Sequence, residues 1–483
     1  MTTGVAVWHP ESLDVDALFG RYGLRVGEGV LVLGHFVYTG LADDAHCRDA
    51  GCVPLRAEYL RKIIGQRCLD AVRQAALKAG YVDRRHSFRV GLCSQAYRIL
   101  PRYRRARLVQ HEITDFKLRH NFSRWREARH REVWQQVQGD SSLVAAPVRR
   151  HLWRNLQRVR IDAEIDPGAL SHPAYQIAVE NLRRGELWFI VDDFGRIHTN
   201  VTNLPRTLRP YLSVEGQRLA NVDISESQPL FMGMVIAEAV EGTRGESIFR
   251  AREIAGQDEQ SNGSGGPRAL APRYPIGVTN QENSRATRAT TPRPPYDVQT
   301  NDVRTNDVQA SPACRVVLDR RRLPRDLQHY MRLCESRQLY QTLADRLGLA
   351  RDEAKKLTMR VFFDDPSHRN AASPVFDELF PTVMEAMRRI KREDYRKLAH
   401  LAQRTESAFM FGRVIPHLMR FRPTLFISTI HDAVLTPEGD AEFVRVVMLN
   451  EFARLGLSPQ VRIEPCSHEA PAAVQESVAA ERD

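Results

Sequence analysis

A segment of low complexity inside the chain, between about residues 243 and 312, most constrains what the chain can fold into. Gly, Ser, Asn, Pro, Thr and Arg dominate it, and Thr-Asn-Asp-Val occurs twice, beginning at Thr300 and Thr305. It has too few apolar side chains to offset the entropy lost on ordering, so we predict a disordered insertion or tether. Because loops of this length are uncommon inside compact domains, it is expected to project away from the site that it interrupts.

The remaining sequence is typical of a globular protein. The 483 residues correspond to about three domains. Hydrophobic residues make up 42% and charged residues 27%, which excludes a wholly disordered or collagen-like chain. No apolar run approaches the roughly 18 residues of a membrane span. The first residues lack the basic and apolar regions of a secretory signal, so we predict a cytoplasmic protein without a membrane partner.

The charge predicts a polyanionic partner. The formal net charge is +11 and the pI is near 9.5. A basic stretch, expected to bind nucleic acid, begins with Arg102, Arg104, Arg105 and Arg107. Further Lys and Arg residues follow to position 131, and aromatic residues lie among them: Tyr103, Phe116, Phe122, Trp125 and Trp134. Two interpretations stay open, a surface that binds phosphates and stacks bases, or a solvated helix with a buried aromatic face.

The N-terminal region has the pattern of helices followed by a short hairpin. Apolar residues from Leu55 to Leu77 recur at helical spacing, and Gly80 ends the run. Short extended segments follow at 81–82, 88–90 and 97–99. This stretch resembles the winged-helix modules of phage and plasmid replication proteins. Such a module can hold DNA or serve only for packing, and the sequence leaves both open.

A helical, basic region at 111–185 precedes a predicted hairpin. Leu187–Val191 and Arg196–Thr199 are the predicted strands, joined by a turn that contains Asp192 and Asp193. Adjacent carboxylates before a Gly are more often turn formers than metal ligands, and we interpret these two in that way.

Two carboxylates stand at the ends of predicted strands. Leu219–Val222 leads into Asp223, and an apolar helical segment follows. Farther along, strands at Thr424–Ile430 and Ala433–Leu435 flank His431 and Asp432. Asp223 is well placed for a magnesium ligand, and Asp432 is a carboxylate held at the tip of a hairpin, although a helix-capping Asp and a His-Asp turn are also common structural features.

A third element is a helix with residues repeated at intervals of four: Arg351, Lys355, Met359 and Phe363. On a helix these positions form a slowly winding stripe about 18 Å long. The two cations could hold a triphosphate while the apolar end packs on base and sugar. The alternative is an amphipathic helix with solvated cations and core-facing Met and Phe.

In this order, the three elements resemble the palm and fingers of family A DNA polymerases and the related single-subunit phage RNA polymerases, over about residues 186–465 without the insertion. The family patterns are Asp-x-Ser-x-x-Glu, Arg-x3-Lys-x7-Tyr-Gly and His-Asp followed by Glu or Ser. Looser matches are at Arg196–Pro205, Phe380–Val383 and Gln403–Ser407. This chain has Asp223, Ser225 and Gln228 in the first motif, Arg351, Lys355, Phe363 and Asp364 in the second, and His431, Asp432 and Ala433 in the third.

The resemblance implies template-directed nucleotidyl transfer with two Mg²⁺ ions held by Asp223 and Asp432. Arg351 and Lys355 would bind the triphosphate, and His431 would position the primer end. The remaining contacts implied are with the nucleotide for Ser225, Gln228, Met359 and Phe363, and with the primer-template for Arg196 and Gln403.

The departures from the family pattern concern sugar choice. Gln228 replaces the Glu that blocks the nucleotide 2'-position, and Phe363 lacks the phenol of the usual Tyr. Asp364 replaces a Gly, and Ala433 removes an auxiliary carboxylate. We therefore expect a moderate preference for deoxynucleotides.

The predicted fold class is α+β, a polymerase right hand behind a winged-helix-like module. No convincing exonuclease motifs precede the palm, so no proofreading is expected. The predicted partners are DNA primer-template, deoxynucleoside triphosphates and other replication proteins, in mobile-element replication or repair. The predicted regions are 1–110 (winged-helix-like), 111–185 (thumb-like), 186–242 (palm with the first metal Asp), 243–312 (insertion), 313–372 (fingers), 373–466 (palm with His-Asp) and 467–483 (tail).

Two other functions stay open. One is a primase or single-subunit RNA polymerase, which would use ribonucleotides. The other is a catalytically inactive polymerase fold that binds nucleic acid.

Overall fold

The structure is a computed structural model, and it describes residues 5–43, 45–85, 95–162, 164–241, 319–368 and 370–466. The predicted insertion at 243–312 and the predicted tail at 467–483 lie outside the described residues. No helix in the described ranges is long and apolar enough to cross a membrane. Helices and antiparallel strands together form the fold, in agreement with the predicted α+β class.

The N-terminal part packs around one long buried helix. The elements up to residue 112 are β1 (Ala6–Pro10), α1 (Val15–Tyr22), α2 (Leu24–Asp43), α3 (Ala45–Ala50), β2 (Val53–Pro54), α4 (Ala57–Ile64), α5 (Leu69–Lys78), β3 (Val82–Arg85), β4 (Ala96–Ile99) and β5 (Leu108–Glu112). Helix α2 is buried from Val30 to Ala42 and packs against α1, α5 and β1. Strand β1 pairs with β5, and β2, β4 and β3 form a three-stranded sheet.

The helices and the hairpin predicted between 55 and 99 are present in part. Two helices replace a continuous one because α4 ends at Gly65, whose φ of +98° places it in the left-handed region. Gly80, at φ +62°, follows the end of α5 as predicted. The segment predicted as extended at 88–90 lies outside the described residues. The winged-helix assignment and its DNA contact stay predictions.

A 23-residue helix continues the chain and belongs to both parts of the molecule. The elements of this stretch are α6 (Phe116–Gln138), α7 (Ala146–Leu156), β6 (Val159–Ile161) and α8 (Pro173–Arg183). The first half of α6 contributes Leu118, Phe122 and Trp125 to the N-terminal core. Its second half contributes Val133 and Val137 to the main core. Asp115 caps its start by accepting a hydrogen bond from the Leu118 N–H at 2.8 Å.

The aromatic residues of the basic stretch divide into two sets. Tyr103, Phe122 and Trp125 are buried in the N-terminal core, so the interpretation that they stack on bases is wrong and the buried aromatic face is confirmed for them. Phe116 and Trp134 are exposed on the opposite side of α6. Helical geometry explains the division, because a 3.6-residue period turns positions 118, 122 and 125 to one face.

The predicted hairpin between 187 and 199 is confirmed. Strand β7 (Phe189–Val191) pairs with β8 (Ile197–Thr199). The Asp192 carboxylate accepts hydrogen bonds from the backbone N–H groups of Phe194 and Arg196, both at 2.9 Å. Asp192 is therefore a turn former, as predicted.

An antiparallel sheet of six strands lies at the centre of the second part. The sheet contains β6 and five further strands, which are β9 (Leu212–Val214), β10 (Gln217–Ile224), β11 (Ser428–Ile430), β12 (Ala433–Pro437) and β13 (Val461–Pro465). The strand order is β11-β12-β10-β9-β6, and β13 also pairs with β10. Strand β10 lies between β12 and β9, and it contains the extended segment predicted before Asp223. Strand β11 is shorter than the predicted Thr424–Ile430, because its pairing with β12 begins only at Ser428.

Further helices form the main core together with this sheet. They are α9 (Ser227–Glu241), α10 (Arg325–Glu335), α11 (Leu339–Leu347), α12 (Arg351–Phe363), α13 (Ala372–Leu379), α14 (Pro381–Lys391), α15 (Lys397–Phe409), α16 (Ile415–Phe421) and α17 (Ala441–Ala453). A π-helical turn at Met410–Val414 joins α15 to α16. Helix α9 contacts α10, α14 and α15. Gly233 permits the close approach to α10, since a Cβ there would lie 2.3 Å from the Met331 sulfur.

Candidate active site

The end of β10 brings two carboxylates together. Strand β10 pairs on one side with β12 and on the other with β13, so that Asp223 lies opposite Ala433 and opposite Arg462. Asp432 immediately precedes Ala433. Because β10 and β12 are neighbours, the pairing places the two Asp residues beside each other at one end of the sheet.

The second carboxylate is held by a tight turn. Ile430 pairs with Ala433, which leaves His431 and Asp432 as the two turn residues. His431 has a φ of +57°, in the left-handed region that such hairpin turns require. The Ser227 hydroxyl, at the start of α9, donates a hydrogen bond to Asp432. The turn and α9 thus fix the position of this carboxylate.

Both Asp residues are held in an unfavourable environment for a negative charge. Burial raises the pKa of Asp223 to about 7, and the nearby charges of Asp432 and Glu464 act in the same direction. Arg462 and Arg206 oppose the shift only in part. Burial also raises the pKa of Asp432, against the hydrogen bond from Ser227. Adjacent carboxylates whose pKa values are both raised by burial are typical of functional sites.

Helix α12 presents its cations to the same cleft. Arg351, Lys355 and Met359, spaced four residues apart, line the cleft together with both Asp residues. The ring of Tyr340 lies beneath the two cations, 5.4 Å from the Arg351 guanidinium carbon and 5.9 Å from Lys355 Nζ. These distances allow cation–π attraction, so Tyr340 orients both cations from α11.

The cleft has a volume of about 440 Å³ and is open to solvent. Acidic groups from the end of β10 and cations from α12 face one another across it. Its lining comprises Asp223, Ile224, Ser225, Glu226, Ser227, Gln228, Arg337, Tyr340, Arg351, Lys355, Met359, Asp432 and Arg462.

A further carboxylate, Glu226, lies in the cleft. Its side chain is only 3% exposed and accepts a hydrogen bond from Arg351 Nη2 at 2.6 Å. The backbone of Glu226 has a φ of +53°, an unfavourable value for a residue with a side chain. Burial raises its pKa, and Arg351 and Lys355 counter that effect. Glu226 therefore holds Arg351 in place at a cost in backbone strain.

The donor set suits magnesium. Among the described residues no cluster of three or more His, Cys, Asp and Glu side chains could enclose a metal. Mg²⁺ commonly binds one or two carboxylates and takes its other ligands from water and substrate phosphates. In the described part of the chain, Ser225 Oγ and Glu226 Oε2 are buried without a hydrogen-bond partner. The paired Asp223 and Asp432 beside such groups fit a hydrated cation.

Glu406 binds two of the predicted site residues. Arg196 donates to Glu406 through Nε at 3.0 Å and through Nη2 at 2.8 Å, and Gln228 Nε2 donates to Glu406 Oε2 at 2.8 Å. Burial nevertheless raises the pKa of Glu406 to about 7. Arg196 thus has a partner within the chain, and its predicted contact with the template stays a prediction.

Three other predicted residues do not line the cleft. Phe363 is half-buried at the end of α12 and packs against the main core. The His431 ring lies beside the ring of His198, 6.1 Å between centroids. Gln403 precedes Glu406 by three residues, which places both on one side of α15.

The predicted N-terminal arginines have different surroundings. Arg102 Nη2 donates to the backbone carbonyls of Ala79 and Gly80, at 2.9 and 2.8 Å. Arg104 Nε donates to the Ile99 carbonyl at 3.1 Å. Both contacts stabilise the fold, whereas Arg105 and Arg107 are exposed and Arg107 approaches Glu11 at 3.9 Å.

Sequence reasoning missed several residues of this region. Glu226 stands inside the first motif, and its acidic character beside the predicted triphosphate cations was the available signal. The other missed residues reach the site only through folding, and no spacing in the sequence indicates them. They are Arg337, Tyr340, Glu406 and Arg462, whereas Ser227 stands beside Glu226 inside the first motif.

Comparison with known proteins does not assign this chain to a family. No protein-family model matches the sequence, and no curated protein matches it. Among solved structures, the polymerase domain of Pol1 from M. smegmatis, in complex with DNA primer-template and dNTP, aligns over 93% of this chain and 70% of its own. The TM-score is 0.24 and the sequence identity 12%, values too low to support an assignment. Any functional conclusion therefore depends on the geometry of the cleft.

Proposed function

We propose that this protein is a template-directed DNA polymerase of the family A type. The observation that carries the proposal is the cleft, in which Asp223 and Asp432 face Arg351 and Lys355. Nucleotidyl transfer requires this separation of charge, because a cation-binding acidic pair must meet a triphosphate held by basic groups. The sheet that carries the acids would be the palm, α12 the fingers, and α6 to α8 a thumb-like region.

The residues of the chain have distinct tasks in this reaction. Asp223 and Asp432 would hold two Mg²⁺ ions, which would supply activation of the primer 3'-hydroxyl and neutralisation of the leaving pyrophosphate. Arg351 and Lys355 bind the triphosphate and stabilise the charge that develops on it. Glu226 holds Arg351 before the substrate arrives, and the triphosphate takes its place as the partner of Arg351.

The nucleotide itself would lie along the stripe of α12. Met359 offers an apolar surface to the base and sugar, and Ser225 a hydroxyl. Gln228 is fixed by Glu406 and crowds the 2'-position, whereas Phe363 provides no hydroxyl to reward a ribose. His431 positions the primer end, and Arg196 and Gln403 act on the primer-template. The enzyme would work without proofreading, with other replication proteins, in mobile-element replication or repair.

Primer extension tests this proposal. The wild type, Asp432→Ala and the control Asp345→Asn, which alters an exposed carboxylate of α11 outside the cleft, receive primed DNA, Mg²⁺ and either deoxy- or ribonucleotides. We expect extension with deoxynucleotides by the wild type and control, and none by Asp432→Ala.

The other outcomes distinguish the alternatives. Synthesis from ribonucleotides without a primer would identify a primase or RNA polymerase. Binding of primed DNA without synthesis under any condition would identify an inactive nucleic-acid-binding fold. Substantial extension by Asp432→Ala would show that the Asp432 carboxylate is not part of the metal site.

A further inference from the structure

One face of α6 carries a stripe of exposed residues that the proposed reaction does not use. The stripe residues recur at intervals of three or four, so they share a side of the helix. The opposite side is buried in the two cores. The stripe consists of Phe116, His120, Arg124, Glu127, Arg131, Trp134 and Gln138, and Lys117 lies next to its start.

Two large aromatic side chains of this stripe face solvent. Phe116 is 74% exposed and Trp134 is 52% exposed. The Phe116 ring is nearly parallel to the ring of His120, with 12° between the planes and 6.3 Å between the centroids. Because the helix rises 1.5 Å per residue, Phe116 and Trp134 stand about 27 Å apart. Exposed aromatic faces at this separation are available to stack on planar partners.

Cations lie between and beside the aromatic residues. Lys117, Arg124 and Arg131 are exposed, and no ion pair engages them among the described residues. The neighbouring acid Glu132 is paired with Arg129 instead, leaving Glu127 as the acidic member of the stripe. The stripe is therefore net positive and complementary to a polyanion.

We propose that this face of α6 binds single-stranded nucleic acid. Lys117, Arg124 and Arg131 contact phosphates, and Phe116 and Trp134 stack on bases. A single strand fits better than a duplex because its bases offer free π-faces, whereas those of a duplex are covered by their neighbours. This inference does not depend on the polymerase assignment, since it concerns residues outside the cleft.

Trp134 provides a direct readout. Of the five tryptophans, Trp8, Trp125 and Trp188 are at most 9% exposed and Trp153 is partly buried against the cores. A strand on α6 should therefore quench mainly the emission of Trp134, the exposed member of the five. The full chain is titrated with oligo(dT) of about 16 nucleotides and with a duplex of the same length, without Mg²⁺ or nucleotides. We expect quenching and tighter binding with the single strand. Trp134→Phe should remove most of the quenching but keep the affinity, because Phe can still stack.

The affinities of variants for oligo(dT) then distinguish the contribution of base stacking from that of charge. Trp134→Ala should weaken oligo(dT) binding about tenfold. Replacing Lys117, Arg124 and Arg131 with Ala should reduce the slope of log K against log salt by about 2. The matched control is Phe421→Ala, an aromatic residue of α16 that is 60% exposed and stands between Arg420 and Arg422; it should bind like the wild type.

Some results would overturn this inference. Unchanged affinity in Trp134→Ala, or a loss in Phe421→Ala as large as in Trp134→Ala, would show that α6 is only a solvated helix. Circular dichroism confirms that each exposed variant is folded. Asp432→Ala, which tests the proposed reaction, should retain oligo(dT) binding, so failure of one proposal is distinguishable from failure of the other.

Discussion

Glu28 in the N-terminal core and Asp223 in the cleft are both carboxylates withdrawn from water, but their surroundings differ. Glu28 is fully buried and accepts hydrogen bonds from the N–H groups of Thr114 and Asp115 at 2.7 and 2.8 Å. Burial raises its pKa, but the hydrogen bonds from His111, Thr114 and Asp115 together lower it below the ordinary value. The pKa of Asp223 is instead raised, to about 7, by burial and by Asp432.

The difference separates structural acids from functional ones. The N-terminal fold supplies donors that stabilise the charge of Glu28, so that this carboxylate needs no ligand. The pKa values of Asp223, Glu226 and Asp432 are all raised by burial, and the charges are stabilised only in part by the chain. A folded protein keeps such groups where a ligand completes their environment.

The largest effect should come from Asp223→Asn. We expect primer extension to fall by at least about a thousandfold, because the proposed metal site loses a charge. Stability should not fall, since the change removes repulsion with Asp432, and the Tm should be unchanged or a few degrees higher. Extension assays and calorimetry on the same preparation measure both. A clear loss of Tm would show that Asp223 is a structural acid like Glu28.

The same isosteric change at Glu28 should have the opposite result. In Glu28→Gln the amide cannot accept all the hydrogen bonds of the carboxylate, so the free energy of unfolding should fall by about 2–3 kcal/mol. Extension per folded molecule should stay at the wild-type level. Denaturant unfolding measures the change, with the exposed Glu132→Gln of α6 as the control. Equal stability of the two variants would contradict the role given to Glu28.

Lowering the pH should have a smaller effect on stability, and this effect reports the charge of Glu28. Its folded pKa lies below the unfolded value, so its stabilising contribution is fully present above the unfolded pKa of about 4.5. That contribution is lost as the pH falls through the folded pKa. The stability difference between wild type and Glu28→Gln should therefore shrink below pH 4.5. A difference independent of pH would mean that packing, not charge, causes it.

Magnesium should stabilise the cleft but not the N-terminal core. At a concentration about ten times its Kd, Mg²⁺ should add about 1–2 kcal/mol to the unfolding free energy of the wild type. Chelation should reverse the gain, and Glu28→Gln should retain it. Asp223→Asn should show none, and an equal gain in that variant would place the ion elsewhere.

The smallest effect concerns sugar choice. Gln228→Ala should open the 2'-position and reduce the preference for deoxynucleotides by about fivefold to tenfold, roughly 1 kcal/mol. Phe363→Tyr should change the ratio through the restored hydroxyl. The measurement is kcat/KM for deoxy- and ribonucleotides opposite one template base. An unchanged ratio in Gln228→Ala would contradict the steric assignment.

Local patterns in the sequence predicted the elements that carry the site. Strand β10, the His431-Asp432 turn and α12 each follow from a short run of apolar residues with turn or helix periodicity. The residues that complete the cleft depend on pairing between distant segments. Arg462 reaches Asp223 only through the register of β13, and Glu406 meets Arg196 from 210 positions away.

The burial of residues on α6 shows a second limit of prediction from the sequence. The sequence indicated basic and aromatic residues together but left open which of them face solvent. Phe122 and Trp125 share a helical face with Leu118, whereas Phe116 and Trp134 do not, so periodicity could have separated them. The presence of two cores, one at each half of the helix, was not encoded in any local pattern.

That arrangement of α6 has a mechanical consequence. One uninterrupted helix is fixed by Phe122 and Trp125 at one half and by Val133 and Val137 at the other. Neither core can lose its packing without freeing half of this helix, and a helical segment of about 12 residues is only marginally stable in water without tertiary packing. The two halves of the molecule are thereby coupled in unfolding, and a load applied to one of them is carried directly into the other.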